Sequence, residues 1–190
     1  MPPKARITRE MIVDAAVEVA RQKGYEHINA RTVSEELSCS TQPVMYHFDT
    51  IESLKHAAYA GADRLHTAYL LQLPPDRDPV LGIGLNYIRF AVEEPQLFRF
   101  LFQSGYADRR SLPEMAGSEE LLPILTVMRE GSGLSMEQTR QVFLTVALFA
   151  HGYASIIAGG GMDYNETEAA EHLRRAWNGA VLAAYREETK

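Results

Sequence analysis

Apolar residues recur at intervals of three and four along most of the chain, the spacing that places them on one face of a helix. Short polar stretches containing Gly, Pro, Ser or Asn separate these segments. There is no convincing strand pattern, so the sequence predicts an all-α protein. The predicted helices number nine and cover residues 9–23, 30–37, 41–48, 50–73, 79–94, 96–102, 118–130, 136–158 and 166–184.

Capping residues mark the predicted helix starts. A side chain that accepts a hydrogen bond from an unpaired N–H group favours the first turn of a helix. Ser135 with Gln138, and Asn165 with Glu168, have the spacing of a capping box. The other predicted caps are Thr8, Asn29, Ser40 and Asp78.

The fourth predicted helix, residues 50–73, links two parts of the chain. At about 1.5 Å per residue it would span more than roughly 30 Å. Such a helix can join a small N-terminal domain to a second domain as one rigid lever. We predict domains at residues 1–54 and 55–190.

Residues 28–48 are typical of two short helices joined by a tight turn at Ser38 and Cys39. Helical spacing turns Val33, Leu37, Val44 and Phe48 inward. Small polar donors at the start of a helix, with aromatics one turn later, suit the base edges and backbone of a DNA major groove. The residues left facing outward are Thr41, Gln42, Tyr46 and His47.

This segment resembles the helix-turn-helix of the TetR family of transcription regulators. The run that resembles its recognition helix is Ser40-Thr41-Gln42-Pro43-Val44-Met45-Tyr46-His47-Phe48, and the run that resembles the opening of its fourth helix is Glu52-Ser53-Leu54. The resemblance implies an all-α fold with an N-terminal helix-turn-helix domain and a C-terminal effector and dimerisation domain. The DNA contacts that it implies are Ser40, Thr41, Gln42, Pro43, Tyr46 and His47. The chain departs from the family pattern at Ser38, Met45 and Ile51, where the family often has Gly, Tyr and Lys.

Basic residues at the N-terminus provide a local positive footprint, although the formal net charge is −6. Lys4, Arg6 and Arg9 precede the first acid, and Arg31 adds to them. A basic patch of this kind favours contact with DNA phosphates. Lys4, Arg6 and Arg31 are therefore further predicted DNA contacts, with a disordered terminus as the alternative interpretation of residues 1–7.

Cys39 and His47 each have a chemical and a structural interpretation. Cys39 beside a helix start is either a thiol sensor or the apolar residue that packs the turn, and we favour packing. His47 has no second ligand at zinc spacing, so no metal site is predicted. By resemblance His47 is a phosphate contact or a buttress of the recognition helix.

The second part of the chain resembles a subset of TetR-like effector domains. The resemblance rests on residues 79–98 and on the His151-Gly152 pair in the predicted eighth helix. It implies an unknown small-molecule ligand. Residues with mixed apolar and hydrogen-bonding character that would line the pocket are Tyr87, Phe90, Phe98, Phe102, Phe149, His151 and Tyr153; the alternative for each is core packing.

By the same resemblance, the last two helices form a homodimer interface. Small residues allow close approach of helices, and larger apolar ones supply area. The predicted interface residues are Gly152, Leu173, Trp177, Ala180, Val181 and Ala184, with packing inside the subunit as the alternative. Dimerisation would place two helix-turn-helix motifs about 34 Å apart on the half-sites of a palindrome.

The sequence therefore predicts a dimeric DNA-binding transcription regulator, a repressor released by a small ligand. The alternatives are an activator on the same fold, or a ligand-binding dimer with a weakened DNA-binding domain. No phosphate-binding Gly-rich loop, HExxH pair or Gly-x-Ser-x-Gly motif is present, so neither an enzyme nor a cofactor is expected. A single Cys, no apolar signal region and no apolar run of about 20 residues predict a cytoplasmic protein that does not enter a membrane.

Overall fold

The computed structural model describes residues 7–75, 78–107, 114 and 116–187. Over these residues the chain forms nine α-helices, two short 3-10 turns and no strand, which confirms the all-α prediction. The helices are α1 (Arg9–Lys23), α2 (Ala30–Glu36), α3 (Thr41–His47), α4 (Ile51–Leu70), α5 (Pro79–Glu93), α6 (Pro95–Gln103), α7 (Leu122–Ser132), α8 (Met136–Ala158) and α9 (Glu166–Glu187). The 3-10 turns are Tyr25–His27 and Glu119–Leu121.

Most of the predicted helix caps are confirmed. The Thr8 hydroxyl accepts a hydrogen bond from the Met11 N–H group at 3.2 Å. Asn29 and Ser135 each form a capping box with the residue three positions further on. Ser40 occupies the predicted position before α3, but its side chain makes no capping hydrogen bond, so that detail of the prediction was wrong. Side-chain caps are also present at Asp78 and Asn165.

The chain divides into two compact units. One comprises Met1–His66 and Glu94–Asp108, and the other comprises Thr67–Glu93 and Arg109–Lys190. Helix α6 therefore belongs with the N-terminal helices, and α4 contributes residues to both units. The predicted division between residues 54 and 55 separates binding functions rather than compact units, and it stays a prediction.

The first unit is built around α1. The buried face of α1 includes Ile12, Val19 and Ala20, which are fully removed from solvent. The inward positions predicted in the helix-turn-helix are buried at Val33, Val44 and Phe48, whereas Leu37 is half-buried. Helix α6 is tied to this unit by contacts at both of its ends.

The contacts of α6 involve one ion pair and one aromatic stack. The Arg21 guanidinium donates to a Glu94 carboxylate oxygen at 3.0 Å. The rings of Tyr25 and Phe100 are parallel, with centroids 5.2 Å apart. Tyr25 therefore packs within the unit, as predicted, and residues 94–103 are held against α1 although they follow it by about 70 positions.

His66, at the end of the first unit, makes the stability of this unit sensitive to acid. The side chain is 7% exposed and contacts the ring of Phe102. Burial lowers the pKa of His66 from 6.5 to about 4. In the unfolded chain the His66 side chain binds a proton near pH 6.5, whereas in the folded chain it does so only near pH 4. The contribution of neutral His66 to stability is therefore fully present above pH 6.5 and is lost as the pH falls towards 4. We expect His66 to account for a loss of about 3 kcal/mol over this interval.

The measurement is the free energy of urea unfolding between pH 7 and pH 4.5 for the wild-type protein and the His66→Leu variant. The variant should lose less stability on acidification. The exposed His27 offers a matched control, because His27→Gln should leave the slope unchanged. Equal slopes for the wild type and His66→Leu would contradict the prediction.

The second unit is built around α5, which packs against α8, α9 and α7. Helix α5 was predicted to be buried on most sides, and this is confirmed: Ile83, Leu85, Ile88, Phe90 and Ala91 are all less than 9% exposed. The approach of α9 is close, because a Cβ atom at Gly84 would lie 3.1 Å from a methyl group of Leu173. The core of this unit is therefore the contact of α5 with the last two helices.

Helix α4 ends at Leu70, three residues before the predicted Leu73. The reason is the buried side chain of Asn86 on α5, whose amide nitrogen donates to three carbonyl oxygens at the end of α4. The distances are 3.3 Å to Tyr69, 3.2 Å to Leu70 and 3.0 Å to Gln72. These bonds satisfy carbonyl groups that have no partner inside the helix.

Replacing Asn86 by Leu should therefore destabilise the protein. The substitution keeps the number and branching of the side-chain heavy atoms but leaves buried carbonyl groups without their donor, at a cost of about 2–3 kcal/mol. Urea unfolding monitored by circular dichroism would measure this loss. The exposed Gln141→Ala change is the control and should alter stability by less than about 0.5 kcal/mol. A loss of that small size for Asn86→Leu would show that the carbonyl groups find other partners.

Helix α8 differs from one sequence expectation. By length and composition alone, Met136–Ala158 is apolar enough to cross a membrane, although no such segment was predicted. A single helix of this kind is weak evidence for a membrane protein. Much of the apolar surface of α8 is exposed on the single chain: Leu148 is 52% exposed and Ile156 is 51% exposed.

Candidate DNA-binding surface and effector-binding residues

The turn between α2 and α3 is tight and contains a strained residue. Ser38 has φ of +50°, the left-handed conformation that favours glycine. The Cys39 N–H group donates to the Ser34 carbonyl at 2.9 Å, which closes the turn. Cys39 is half-buried, and its thiol lies 3.2 Å from the Ser40 carbonyl, which fits the packing interpretation. Ser38, at a position where the family often has Gly, therefore keeps the tight turn but adopts an unfavourable backbone conformation.

Helix α3 presents one buried face and one exposed face. Val44 is fully buried and Phe48, directly after the helix, is 3% exposed. The opposite side consists of four exposed residues, which we call the DNA-reading face because three of them are predicted DNA contacts: Thr41, Gln42, Met45 and Tyr46. Three of these were predicted as outward-facing, and Met45 was not.

The His47 side chain is held by neighbouring residues and does not point freely into solvent. Its Nε2 atom lies 3.2 Å from the Ile7 carbonyl oxygen, and its ring makes an edge contact with Tyr46. The side chain is half-buried. Of the two predicted roles for His47, this geometry favours the buttress that orients Tyr46 and fixes the end of α3.

The remaining predicted DNA contacts differ in exposure. Ser40 is exposed and Pro43 is half-buried. The Arg31 side chain is 84% exposed and lies 2.9 Å from Glu35, a surface pair worth only about 0.3–0.5 kcal/mol. Such a pair leaves Arg31 able to exchange its carboxylate partner for a phosphate. Lys4 and Arg6 lie outside the described residues.

A hydrogen-bonded group within the second unit contains two of the predicted effector-binding residues. The Tyr87 hydroxyl lies 2.9 Å from Nδ1 of His151, and the Ser155 hydroxyl lies 3.3 Å from Nε2 of the same ring. Burial lowers the pKa of His151 and raises the pKa of Tyr87, which favours the neutral form of both groups. Ser155 was not predicted, although its position four residues after His151 on a helix was a usable signal.

The other predicted effector-binding residues are not all in one unit. Phe149 and Tyr153 are ring neighbours on α8, with centroids 6.1 Å apart. Phe90 is fully buried in the second unit and contacts the ring of Tyr69. Phe98 and Phe102 belong to the first unit, where their centroids are 4.9 Å apart.

An open groove of about 390 Å³ is present in the second unit, outside the predicted set. It lies beside α5 and the start of α9. Its lining residues are Leu81, Leu85, Glu166, Thr167, Ala170, Glu171 and Arg174.

The predicted interface residues on α8 and α9 also differ in exposure. Leu173 and Ala184 are 3% and 5% exposed, so they pack inside the unit rather than forming its surface. Trp177, Ala180 and Val181 are half-buried, and Gly152 is exposed. Exposed apolar residues of these two helices that the interface prediction missed include Leu148, Ile156, Leu182 and Tyr185.

Fold and site together define a class of protein. A helix-turn-helix with an exposed second helix, followed by a larger all-helical unit, is the architecture of a DNA-binding transcription regulator. Residues 80–178, just over half of the chain, match the family model described as Tetracyclin repressor-like, C-terminal domain. The chain therefore belongs to the TetR family of transcription regulators, which bind DNA and small molecules and are not enzymes.

Several known proteins are similar to this chain along most of its length. An uncharacterized HTH-type transcriptional regulator, YobS of Bacillus subtilis, is 22% identical over 171 residues, which are 87% of each chain. A TetR-family regulator from Streptomyces coelicolor superposes with a TM-score of 0.68 at 12% identity, over 94% of this chain and 88% of the other. The multidrug binding protein EbrR, complexed with imidazole, superposes with a TM-score of 0.58 at 21% identity, over 88% of each chain.

Proposed function

We propose that this protein is a dimeric, sequence-specific repressor that binds a palindromic operator and is released by a small-molecule ligand. The observation that carries the proposal is the DNA-reading face of α3. Gln42 and Tyr46, one helical turn apart, are exposed while Val44 and Phe48 fix the helix from behind. Side chains arranged in this way suit the base edges of a major groove.

Two glycines support a homodimer built on α8 and α9. A Cβ atom at Gly152 or at Gly179 would meet nothing within 4 Å in the chain, so internal packing does not require glycine at either position. Glycine inside a helix costs about 1 kcal/mol relative to alanine. Close approach of a second copy explains both residues, and the exposed Leu148, Ile156 and Leu182 on the same helices supply apolar area.

Selection from a randomised pool of double-stranded oligonucleotides tests the DNA-binding part of the proposal. The expected result is an inverted repeat whose half-sites are about one helical turn apart. Sedimentation of the free protein should give a dimer, and Gly152→Leu should shift it towards monomer by blocking helix approach. A monomeric protein that enriches no sequence at low salt would defeat the proposal.

The effector is proposed to contact the second unit near Tyr87, His151 and Tyr153, with His151 as the polar anchor. The hydrogen bonds of His151 to two hydroxyl groups hold its ring in one orientation. Among solved structures with this fold, EbrR is complexed with imidazole or ethidium, and TetR-Q116A of Acinetobacter baumannii with minocycline. We therefore expect a small cyclic organic molecule, and its differential affinity for the two states of the dimer would release the DNA.

An activator on the same fold is the alternative mode of regulation. The sign of the effect is measured by a reporter driven by the selected operator, with and without the gene. Higher expression without the gene supports repression, and lower expression supports activation.

A weakened DNA-binding domain is the second alternative, and charge is the observation that favours it. Residues 1–54 contain eight acids against six basic residues, the latter being Lys4, Arg6, Arg9, Arg21, Lys23 and Arg31. Ile51 occupies a position at which the family often has Lys. This charge balance would weaken contacts with DNA phosphates, and a ligand-binding dimer without an operator would be the outcome if the selection enriched nothing.

A further inference from the structure

An apolar side chain lies in the middle of the DNA-reading face. Met45 is 47% exposed. It follows Thr41 by four residues and Gln42 by three, so the three side chains share one face of α3. Tyr46 next to it is 75% exposed. A groove that receives Gln42 and Tyr46 therefore also receives Met45.

The chemistry of Met45 restricts what it contacts there. A thioether has no hydrogen-bond donor and no charge and is a weak acceptor, so it neither holds a phosphate nor reads nitrogen and oxygen atoms on a base edge. Among the groups that base pairs present in the major groove, the C5 methyl group of thymine is apolar. The flexible and polarisable side chain of Met adapts to such a group.

From this complementarity we infer that Met45 reads the methyl group of one thymine in each half-site of the operator. The inference rests on the proposed DNA-binding function and adds the base that this position selects. Neighbouring residues hold the backbone at Met45 in place. Val44 is fully buried beside it, and His47 is held by the Ile7 carbonyl.

The charge of the N-terminal region increases the weight of this contact. With eight acids against six basic residues in positions 1–54, attraction to phosphates is smaller than in a strongly basic domain. Contacts with base edges therefore supply a larger share of the affinity than they do in a strongly basic protein. The loss of a single methyl contact therefore produces a measurable fall in operator affinity.

The experiment uses the full-length protein and the operator obtained by selection. Each thymine is replaced in turn by deoxyuridine, which removes only the C5 methyl group. We expect one position at which the replacement lowers affinity about fourfold in one half-site and about fifteenfold when made in both, as one methyl contact is worth about 0.8 kcal/mol. Met45→Ala should abolish the sensitivity at that position, and Met45→Leu, which keeps an apolar side chain, should retain it.

Two results would overturn the inference while leaving the proposed function intact. These are an operator in which no thymine is sensitive, or a Met45→Ala protein with the same sensitivity profile as the wild type. Tyr46→Ala is the matched control, because it removes a neighbouring exposed side chain and should keep the methyl sensitivity. Failure to select any operator overturns both the inference and the proposed function, and is recognised by the absence of binding in all variants.

Discussion

Replacing Gln42 and Tyr46 together by alanine is expected to weaken operator binding about a thousandfold. Both side chains are exposed on α3, and neither is part of the core. A good side-chain contact to a base edge is worth about 1–3 kcal/mol, and a dimer would make four of them. At the lower limit the loss is about 4 kcal/mol, which corresponds to a factor of about a thousand in the dissociation constant. Fluorescence anisotropy with labelled operator at fixed salt measures it.

Two comparisons make this result specific. Gln103→Ala changes an exposed glutamine on α6 and should leave operator affinity within a factor of two. Circular dichroism should show the same helix content in the double variant as in the wild type, since neither side chain is buried. If the double variant bound the operator as tightly as the wild type, the DNA-reading face would not be part of the DNA-binding site.

Phe90→Ala is expected to cost about 3–5 kcal/mol of stability. The sequence placed Phe90 among the residues that would line an effector site, with core packing as the alternative. The side chain is fully buried on α5 and contacts the ring of Tyr69 at a centroid distance of 5.3 Å. Removing a buried phenyl ring loses its transfer free energy and leaves a cavity. For a chain of this length the unfolding temperature should fall by roughly 10 °C.

Thermal unfolding monitored by circular dichroism measures the effect. Leu122→Ala is the control, because Leu122 is 42% exposed on α7 and its removal should lower stability by less than about 1 kcal/mol. A loss of under 1 kcal/mol for Phe90→Ala, together with weaker effector binding, would assign Phe90 to a ligand site instead of the core.

The helix-turn-helix is the part of the molecule that was most accessible from the sequence. Asn29 caps α2, Val33 and Val44 face inward, and Gln42 and Tyr46 face outward, all as predicted. These features depend on residues no more than four positions apart. Hydrogen bonds of a cap and the spacing of a helix face are local, so they can be recognised without knowledge of the rest of the fold.

The effector-binding set was less accessible. Tyr87 and His151 are joined by a hydrogen bond across 64 positions, and Phe98 and Phe102 belong to a different compact unit from Phe149. Periodicity indicates that such residues are buried on a helix, but it does not indicate which other helix covers them. Aromatic residues on apolar helices therefore looked alike in the sequence, whether they pack in the core or lie near a surface.

Within the described residues, the sequence by itself determined the type and approximate limits of the helices and the outward positions of Thr41, Gln42 and Tyr46, because these follow from interactions between residues close in the chain. Tertiary structure decided that α6 packs with the N-terminal helices, that α4 stops at Leu70 beneath Asn86, and that Leu173 is internal while Leu148 and Ile156 are exposed. Each of these outcomes depends on contacts between helices far apart in the chain. Only the packed arrangement specifies which of several apolar faces meet.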